Sequence, residues 1–478
     1  MAFRLKLYQH QIDGIEYGLN HKGWLLLDDQ GLGKRVQMIY LAEMLKKNRD
    51  LEHCLIVCGV NGLKYNWFSE VYKFSDLSAK ILGYDVNSKG KPVIKSVNDR
   101  IQELINPINE FFVITNIETL QSKEFAKAFK KSKNNFGMIV LDEAHKVKNS
   151  SSLAASTLLK LDAEYKIALT GTVITNKPDN LYVPLKWTGN THTTKGMFDK
   201  MYNVYGGFNN HQVVGYKNLE LLQELLASCS LRRLKEEVLD LPERIFEIQY
   251  VELDPKQRQF YNNIEKGIAE ELDVLYSENG YVSLSQEMVV NMRLRQATAW
   301  PGILTTENIP SAKLDRLYEL VGEILENHPD DKILIFSTFK STTEGIRQKL
   351  QEFSPIICTG GMRDVDINTN IDKFKNDINS RVMVATWQKL GTGENFTAAN
   401  YVIFVDTPWN DSDFKQACDR CYRIGQTKKT VVITLVSKDT YDERVQAILE
   451  NKEILSNYII DNVESEKLVQ FNDICMDN

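Results

Sequence analysis

Residues 28–37 read Asp-Asp-Gln-Gly-Leu-Gly-Lys-Arg-Val-Gln. They follow the apolar run Trp24–Leu27 and precede a helical pattern from Val36 to Leu45. Two glycines and a lysine between a strand and a helix suit a phosphate cradle. Gly31 and Gly33 let backbone N–H groups approach phosphate oxygens, and Lys34 adds a full positive charge. Gln30, Leu32 and Arg35 complete the loop. Alone, the segment also fits a Gly-rich turn that merely opens a helix. A second segment weighs against that plainer reading. Gly137–Lys148 reads Gly-Met-Ile-Val-Leu-Asp-Glu-Ala-His-Lys-Val-Lys. A buried strand there delivers Asp142 and Glu143 at its carboxyl end, where ligands sit in open α/β sheets. Phosphate hydrolysis uses one carboxylate to hold Mg2+, usually through water, and a second to orient or deprotonate the attacking water. Asp142 and Glu143 suit those two roles.

The elements that must position these residues are legible as short apolar runs separated by helical patterns. The runs are Trp24–Leu27, Cys54–Cys58, Phe111–Thr115, Met138–Leu141 and Ile167–Leu169 in the first half. In the second they are Ile333–Phe336, Ile356–Cys358, Val382–Ala385, Val402–Val405 and Val431–Val436. Buried parallel strands with crossover helices read this way, so two α/β units of similar size are expected. From about Pro255 to Ala299 the sequence is polar and helical, with a break at Ser277–Tyr281.

The 478 residues carry 43% hydrophobic and 10% aromatic side chains, enough for several buried cores. Twenty-six glycines and eleven prolines exclude collagen-like and Pro/Gly-rich disordered classes. A net charge of −6 excludes bulk electrostatic binding to nucleic acid but leaves room for a local basic groove. Seven scattered cysteines exclude a disulfide scaffold, and Cys418-x-x-Cys421 lacks the partners of a zinc or thioredoxin-like site. No apolar stretch reads as a signal peptide or membrane span.

With these motifs the chain resembles the Swi/Snf-type ATPases, the double-stranded DNA translocases of helicase superfamily two, from about Leu7 to Leu449. Leu7–Gly14 resembles the adenine-recognition motif, with Gln11 on the base edge. Cys54–Trp67, ending in Asn66-Trp67, resembles the segment after the phosphate loop. Val113–Leu120 resembles a DNA-facing motif, and Ala168-Leu169-Thr170-Gly171-Thr172 the coupling motif. Leu231-Arg232-Arg233-Leu234-Lys235 and Leu294-Arg295-Gln296 are similar to further family signatures. Lys332–Ser337 resembles the opening strand of the second lobe, and Gly391–Asn395 the Gly-rich motif facing DNA and ATP. Gln416–Gln426 resembles the arginine-finger motif, with Arg420 and Arg423 three apart and so expected on one helix face.

The resemblance implies an α/β fold of two RecA-like parallel-sheet lobes with helical insertions. The lobes are expected at residues 1–240 and 311–460, with a helical insertion and linker at 241–310 and an acidic tail at 461–478. It implies ATP and Mg2+ as cofactors. Lys34, Asp142, Glu143, Arg420 and Arg423 would be catalytic, and Asp142 would hold the metal through water. Gln11, Gln30, Gly31, Leu32, Gly33, Lys34, Arg35 and Gly393 would line the nucleotide. Lys64, Asn116, Thr119, Thr338, Thr386 and Trp409 would face DNA, while Thr170, Gly171, Thr172 and Gln416 would couple the two sites. The basic stretch Lys123–Lys133 reads as a solvated helix face or as a phosphate contact.

Arg35 is the main departure, because the family carries Thr or Ser there to ligate Mg2+. Arginine has no acceptor oxygen and is always cationic. Gly59 and Val173 stand where proline is common. The function implied is an ATP-driven translocase on double-stranded, forked or branched DNA, with branch migration or fork remodelling as its expected work. The alternatives are a catalytically impaired DNA-binding member, because of Arg35, and a strand-separating DEAH-type helicase. A monomer away from membranes is expected, in a bacterial or phage-infected cytoplasm, or in the nucleus of a eukaryote.

Overall fold

The computed structural model describes residues 6–59, 63–86, 92–171, 177–206, 212–279, 284–390, 395–408 and 411–461. Thr172, Gly393, Trp409 and the acidic tail after Asp461 lie outside the described residues. The chain divides into two units, Met1–Leu239 with Lys452–Asn478, and Asp240–Asn451.

The first unit is built on seven parallel strands. In chain order they are β1 Gly23–Leu26, β2 His53–Cys58, β3 Ala79–Ile81, β4 Phe112–Asn116, β5 Phe136–Asp142, β6 Tyr165–Leu169 and β7 Ser230–Leu231. Their order across the sheet is β7-β1-β6-β5-β2-β4-β3. Central strands are buried on both faces, so nearly every position is apolar. Alternate residues feed two separate cores. Leu25, Leu55, Val57, Val113, Ile139 and Leu141 enter one. Trp24, Leu26, Ile56, Ile114, Val140 and Leu169 enter the other. Helix α1 (Gln9–Asn20) precedes β1, α2 (Lys34–Arg49) follows it, and α3 (Leu63–Phe74) follows β2.

Register matters most for function. Leu231 pairs with Leu26, Leu26 with Leu169, Leu169 with Asp142, Asp142 with Cys58, and Cys58 with Asn116. One level row of residues thus crosses the carboxyl edge of the sheet. Each of the motifs singled out in the first half crosses this row or begins at or just beyond it, except the one ahead of β1.

The second unit holds six parallel strands. They are β8 Arg244–Val251, β9 Ile333–Ser337, β10 Ile356–Cys358, β11 Val382–Thr386, β12 Tyr401–Phe404 and β13 Thr430–Ser437. Their order is β8-β13-β12-β9-β11-β10. Again two cores flank the sheet, with Leu334, Phe336, Met383 and Phe404 on one side and Ile333, Ile335, Val384 and Ile403 on the other. Helices Pro255–Asn279 and Leu284–Ala299 form the insertion.

Two expectations are corrected here. Arg244–Val251 lies in the stretch expected to be a helical insertion, yet it is an edge strand paired along its whole length with β13. Its exposed Phe246, Glu247 and Ile248 give it no buried-strand pattern. The helix expected to carry Arg420 and Arg423 ends at Cys418. Both arginines sit on the tight turns that follow, closed by Cys421 N–H to Cys418 O and Gln426 N–H to Arg423 O. Gly425, at φ 100°, closes the second turn in a left-handed conformation that favours glycine.

Among the described residues no helix is long and apolar enough to cross a membrane. Among them, too, no cluster of three His, Cys, Asp or Glu side chains could hold a metal ion. Cys418 and Cys421 are buried and are not joined in a disulfide.

Candidate functional site

The phosphate loop leaves β1 and turns into α2 through Gly31 and Gly33, whose φ values are 90° and 77°. Such angles are easy only for glycine. No side chain caps α2, so the N–H groups of its first turn are left for an anion. Lys34 lies beneath the loop. Its Nζ donates to the carbonyls of Asp28 at 2.6 Å and Asp29 at 3.0 Å. Burial lowers its proton affinity, while Asp28 and Glu143 raise it.

Arginines hold the loop from behind. Arg233 donates Nε to Asp28 Oδ1 at 2.9 Å and Nη2 to Asp28 Oδ2 at 2.5 Å, a bidentate pair with a fully buried carboxylate. Its Nη2 also reaches Gln37 Oε1 at 3.0 Å, and Gln37 Nε2 returns to Asp28 Oδ2 at 3.0 Å. Arg233 Nη1 donates to the carbonyl of His10 on α1. Arg232 bonds Leu27 O and Asp29 Oδ1. Composition and spacing did not reveal that the Arg232-Arg233 signature braces the phosphate loop, because its partners lie two hundred residues earlier. Gly14 is part of the same fit, since a Cβ there would lie 2.0 Å from Gln37 Oε1.

Gln11 is buried against the loop. Its Nε2 donates to Leu32 O at 3.3 Å, and its Oε1 accepts from Tyr8 N–H at 3.1 Å. Gln30 Nε2 is buried without a hydrogen-bond partner among the described residues.

The acidic pair closes the other side. Asp142 ends β5, and Glu143 takes φ 54° and ψ 51°, a left-handed conformation that is strained for a residue with a side chain. Gly59 makes room for this turn, for a Cβ there would meet Glu143 Cβ at 2.6 Å and Asp142 O at 2.9 Å. Burial and the neighbouring Asp142 raise the proton affinity of Glu143. Its Oε2 is buried without a hydrogen bond, 3.3 Å from His145 Nδ1. That imidazole is not a charged partner, because burial holds its pKa down to about 3. Its Nδ1 instead pairs with Thr170 Oγ1 at 3.1 Å. Next along, Gly171 lies against the loop, where a Cβ would sit 2.6 Å from Gln30 Cγ and 3.1 Å from Lys34 Nζ. The structure therefore brings together Gln11, Gln30, Lys34, Asp142, Glu143, Thr170 and Gly171.

Arg35 also enters this group. Its Nε donates to Asp142 Oδ2 at 3.2 Å and its Nη1 to Glu70 Oε1 at 3.0 Å. Asp142 Oδ2 accepts a second bond from Trp67 Nε1 at 2.8 Å, and Oδ1 takes the N–H of Glu143 at 3.0 Å. Mg2+ demands close to octahedral oxygen coordination at about 2.1 Å. The side chain at position 35 offers no oxygen and places a cation on the carboxylate expected to hold the metal. The donors present do not fit a Mg2+ ion between Asp142 and residue 35.

Lys64, Asn116 and Thr119 gather beside this site, all buried. Thr119 Oγ1 donates to Asn116 Oδ1 at 2.7 Å, and Arg100 Nη1 donates to Thr119 Oγ1 at 3.1 Å. Burial lowers the proton affinity of Lys64, and the nearby Arg100 lowers it further. Arg100 was missed at the sequence level because it falls in no motif. Lys123, Lys127, Lys130 and Lys131 line the solvent face of a helix whose Phe125, Ala126 and Ala128 are buried.

In the second unit Thr338 and Thr386 lie at the carboxyl ends of neighbouring strands β9 and β11. Asp406 accepts from Thr338 N–H at 2.8 Å and from Ser337 Oγ. Arg295 is buried and donates to the carbonyl of Thr407, with Nη2 3.8 Å from Asp406 Oδ1. The Leu294-Arg295-Gln296 signature is thus a brace as well. Gln416 lies on the helix Asp411–Cys418, partly exposed. Arg420 is buried, and Arg423 Nε donates to Asp419 O at 2.9 Å.

A parallel sheet whose first loop cradles an anion, with an acidic pair on a neighbouring strand, defines a phosphate-loop nucleotide-binding protein. Residues 5–303 match the SNF2-related domain, and residues 312–425 match the helicase conserved C-terminal domain. The chain belongs to the SNF2-related family. It is 30% identical over 477 residues to an uncharacterized ATP-dependent helicase of Mycoplasma pneumoniae, covering 96% of this chain and 42% of that protein. It is 25% identical to the ATP-dependent helicase FUN30 of Saccharomyces cerevisiae, covering 94% of this chain and 46% of that protein. The chain therefore spans under half the length of these relatives. A solved structure, the Sulfolobus solfataricus SWI2/SNF2 ATPase core in complex with dsDNA, is 25% identical with a TM-score of 0.43. It covers 100% of this chain and 96% of that one.

Proposed function

We propose that this chain is a DNA-dependent ATPase that moves along double-stranded DNA and remodels DNA or protein–DNA complexes. The observation that carries this reading is the level row across the first sheet. It aligns the phosphate loop, the acidic pair and Thr170-Gly171 on one edge, with Asn116 and its neighbours two strands further on. Family membership supports it. In this reading Gln11 faces the base, and the phosphate loop with Lys34 holds the phosphates. Glu143, with its raised proton affinity, orients and deprotonates the attacking water. Arg420 and Arg423 supply positive charge to the phosphoryl group in transfer. Thr170 relays the state of the site through His145. Arg100 contacts DNA phosphates, held in place by the buried Asn116 and Thr119 beside Lys64, and Thr338 does so in the second unit, beside the buried Thr386. Such contacts carry no sequence preference and weaken with salt.

ATP turnover measured with duplex, single-stranded, forked and four-way-junction DNA tests the proposal. Stimulation by duplex is expected. A preference for forks or junctions would point to branch migration or fork remodelling, and stimulation by RNA alone would overturn the reading. A second reading is favoured by the Arg35–Asp142 contact. It is a DNA-binding member with little hydrolysis, for which phosphate release would not exceed that of Lys34→Ala.

A further inference from the structure

The contacts of Arg35 are those of a built-in ligand group. Its guanidinium is held by carboxylates from two elements, Asp142 at the end of β5 and Glu70 on α3. Trp67, one turn before Glu70, lies under it with the guanidinium carbon 5.8 Å from the ring centroid. The same indole bonds the oxygen that Arg35 bonds. The cation is therefore anchored on three sides, while its Nη2 makes no hydrogen bond among the described residues. Arg35 is also the second residue of α2, beside the uncapped N–H groups and Lys34. A guanidinium presents planar N–H pairs that match phosphate oxygens. Nη2 and the second Nη1 hydrogen are available for them.

We propose that Arg35 replaces the divalent cation in nucleotide binding, so that this chain takes a nucleoside triphosphate free of metal. The inference rests on the nucleotide reading of this site. Metal-free ATP carries more negative charge than its Mg2+ complex, and the first turn of α2 meets it with Lys34, the positive end of the helix dipole and the Arg35 N–H groups that Asp142 and Glu70 leave unused. A metal ion placed on Asp142 would stand beside a fixed cation and would have to displace it.

Calorimetric titration of the full chain with ATP, once in EDTA and once in saturating Mg2+, tests the proposal. The two dissociation constants are expected to agree within about twofold. Arg35→Thr is expected to bind about tenfold more weakly in EDTA and to recover when Mg2+ is added. The proposal is overturned if the unmodified chain binds at least about tenfold more tightly with Mg2+, or if Arg35→Thr matches it in both buffers. The buffer comparison on the unmodified chain needs no variant to fold. Absence of ATP binding in both buffers would remove the nucleotide reading itself, an outcome separate from a metal requirement.

Discussion

Arg233 and Asp28 form a buried bidentate ion pair that ties the last strand of the first sheet to the start of the phosphate loop. The pair also holds Gln37 of α2, and Arg233 reaches α1 through the carbonyl of His10. Removing the arginine would leave a buried carboxylate without its counter-charge. Arg233→Met is expected to lower unfolding stability by about 3–5 kcal/mol in denaturant titration. Arg233→Lys keeps the charge but not the fork, so only partial recovery is expected.

Gly59 and Glu143 are in close contact, and the strained turn depends on the missing side chain. Gly59→Ala is expected to push Glu143 off its position and lower ATP turnover on the order of 10²-fold. Nucleotide affinity should change little, because the phosphate loop is untouched. A stopped-assay turnover number beside a calorimetric dissociation constant separates the two effects. Equal losses in both would contradict this picture.

Glu143→Gln removes the carboxylate without changing its size. ATP turnover is expected to fall by about 10²–10⁴-fold while ATP still binds. Single-turnover phosphate release is the measurement.

His145 makes stability depend on pH. Unfolded histidine takes a proton below about 6.5, whereas buried His145 resists protonation down to about 3. The unfolded state therefore binds more protons across that window, and stability falls as pH drops through it. The slope from this one residue approaches about 1.4 kcal/mol per pH unit. Chemical denaturation at several pH values should show it, and His145→Gln should flatten it.

Arg100→Ala is expected to weaken duplex binding evenly across sequences and to reduce the salt slope by about one. Fluorescence anisotropy over a salt series reads both. An unchanged slope would place Arg100 outside the DNA interface.

Much of the fold was legible because buried parallel strands leave continuous apolar runs. All ten runs, from Trp24–Leu27 to Val431–Val436, lie in or overlap strands of the two sheets. What escaped was at the edges. Ala79–Ile81 and Ser230–Leu231 are too short for a periodic signal, and Arg244–Val251 is half exposed. The phosphate loop and acidic pair were legible from local spacing. The braces Arg233 and Arg295 were visible as signatures but not as partners, since Asp28 and Thr407 are distant in sequence. Likewise the strings Asn66-Trp67 and Lys34-Arg35 gave no sign that Trp67 and Arg35 share one oxygen of Asp142.

The level row of strand ends has a consequence for how such a protein changes. Its backbone pairing, not the side chains beyond it, keeps the loop origins aligned. Each loop thus starts from a fixed place on a common shelf. A substitution that rewrites the chemistry of one loop, as arginine does at position 35, leaves the strand ends beneath its neighbours where they were, even where it bonds across to the next loop. Inserting a single residue into any one of those strands would instead throw its loop out of line with all the others.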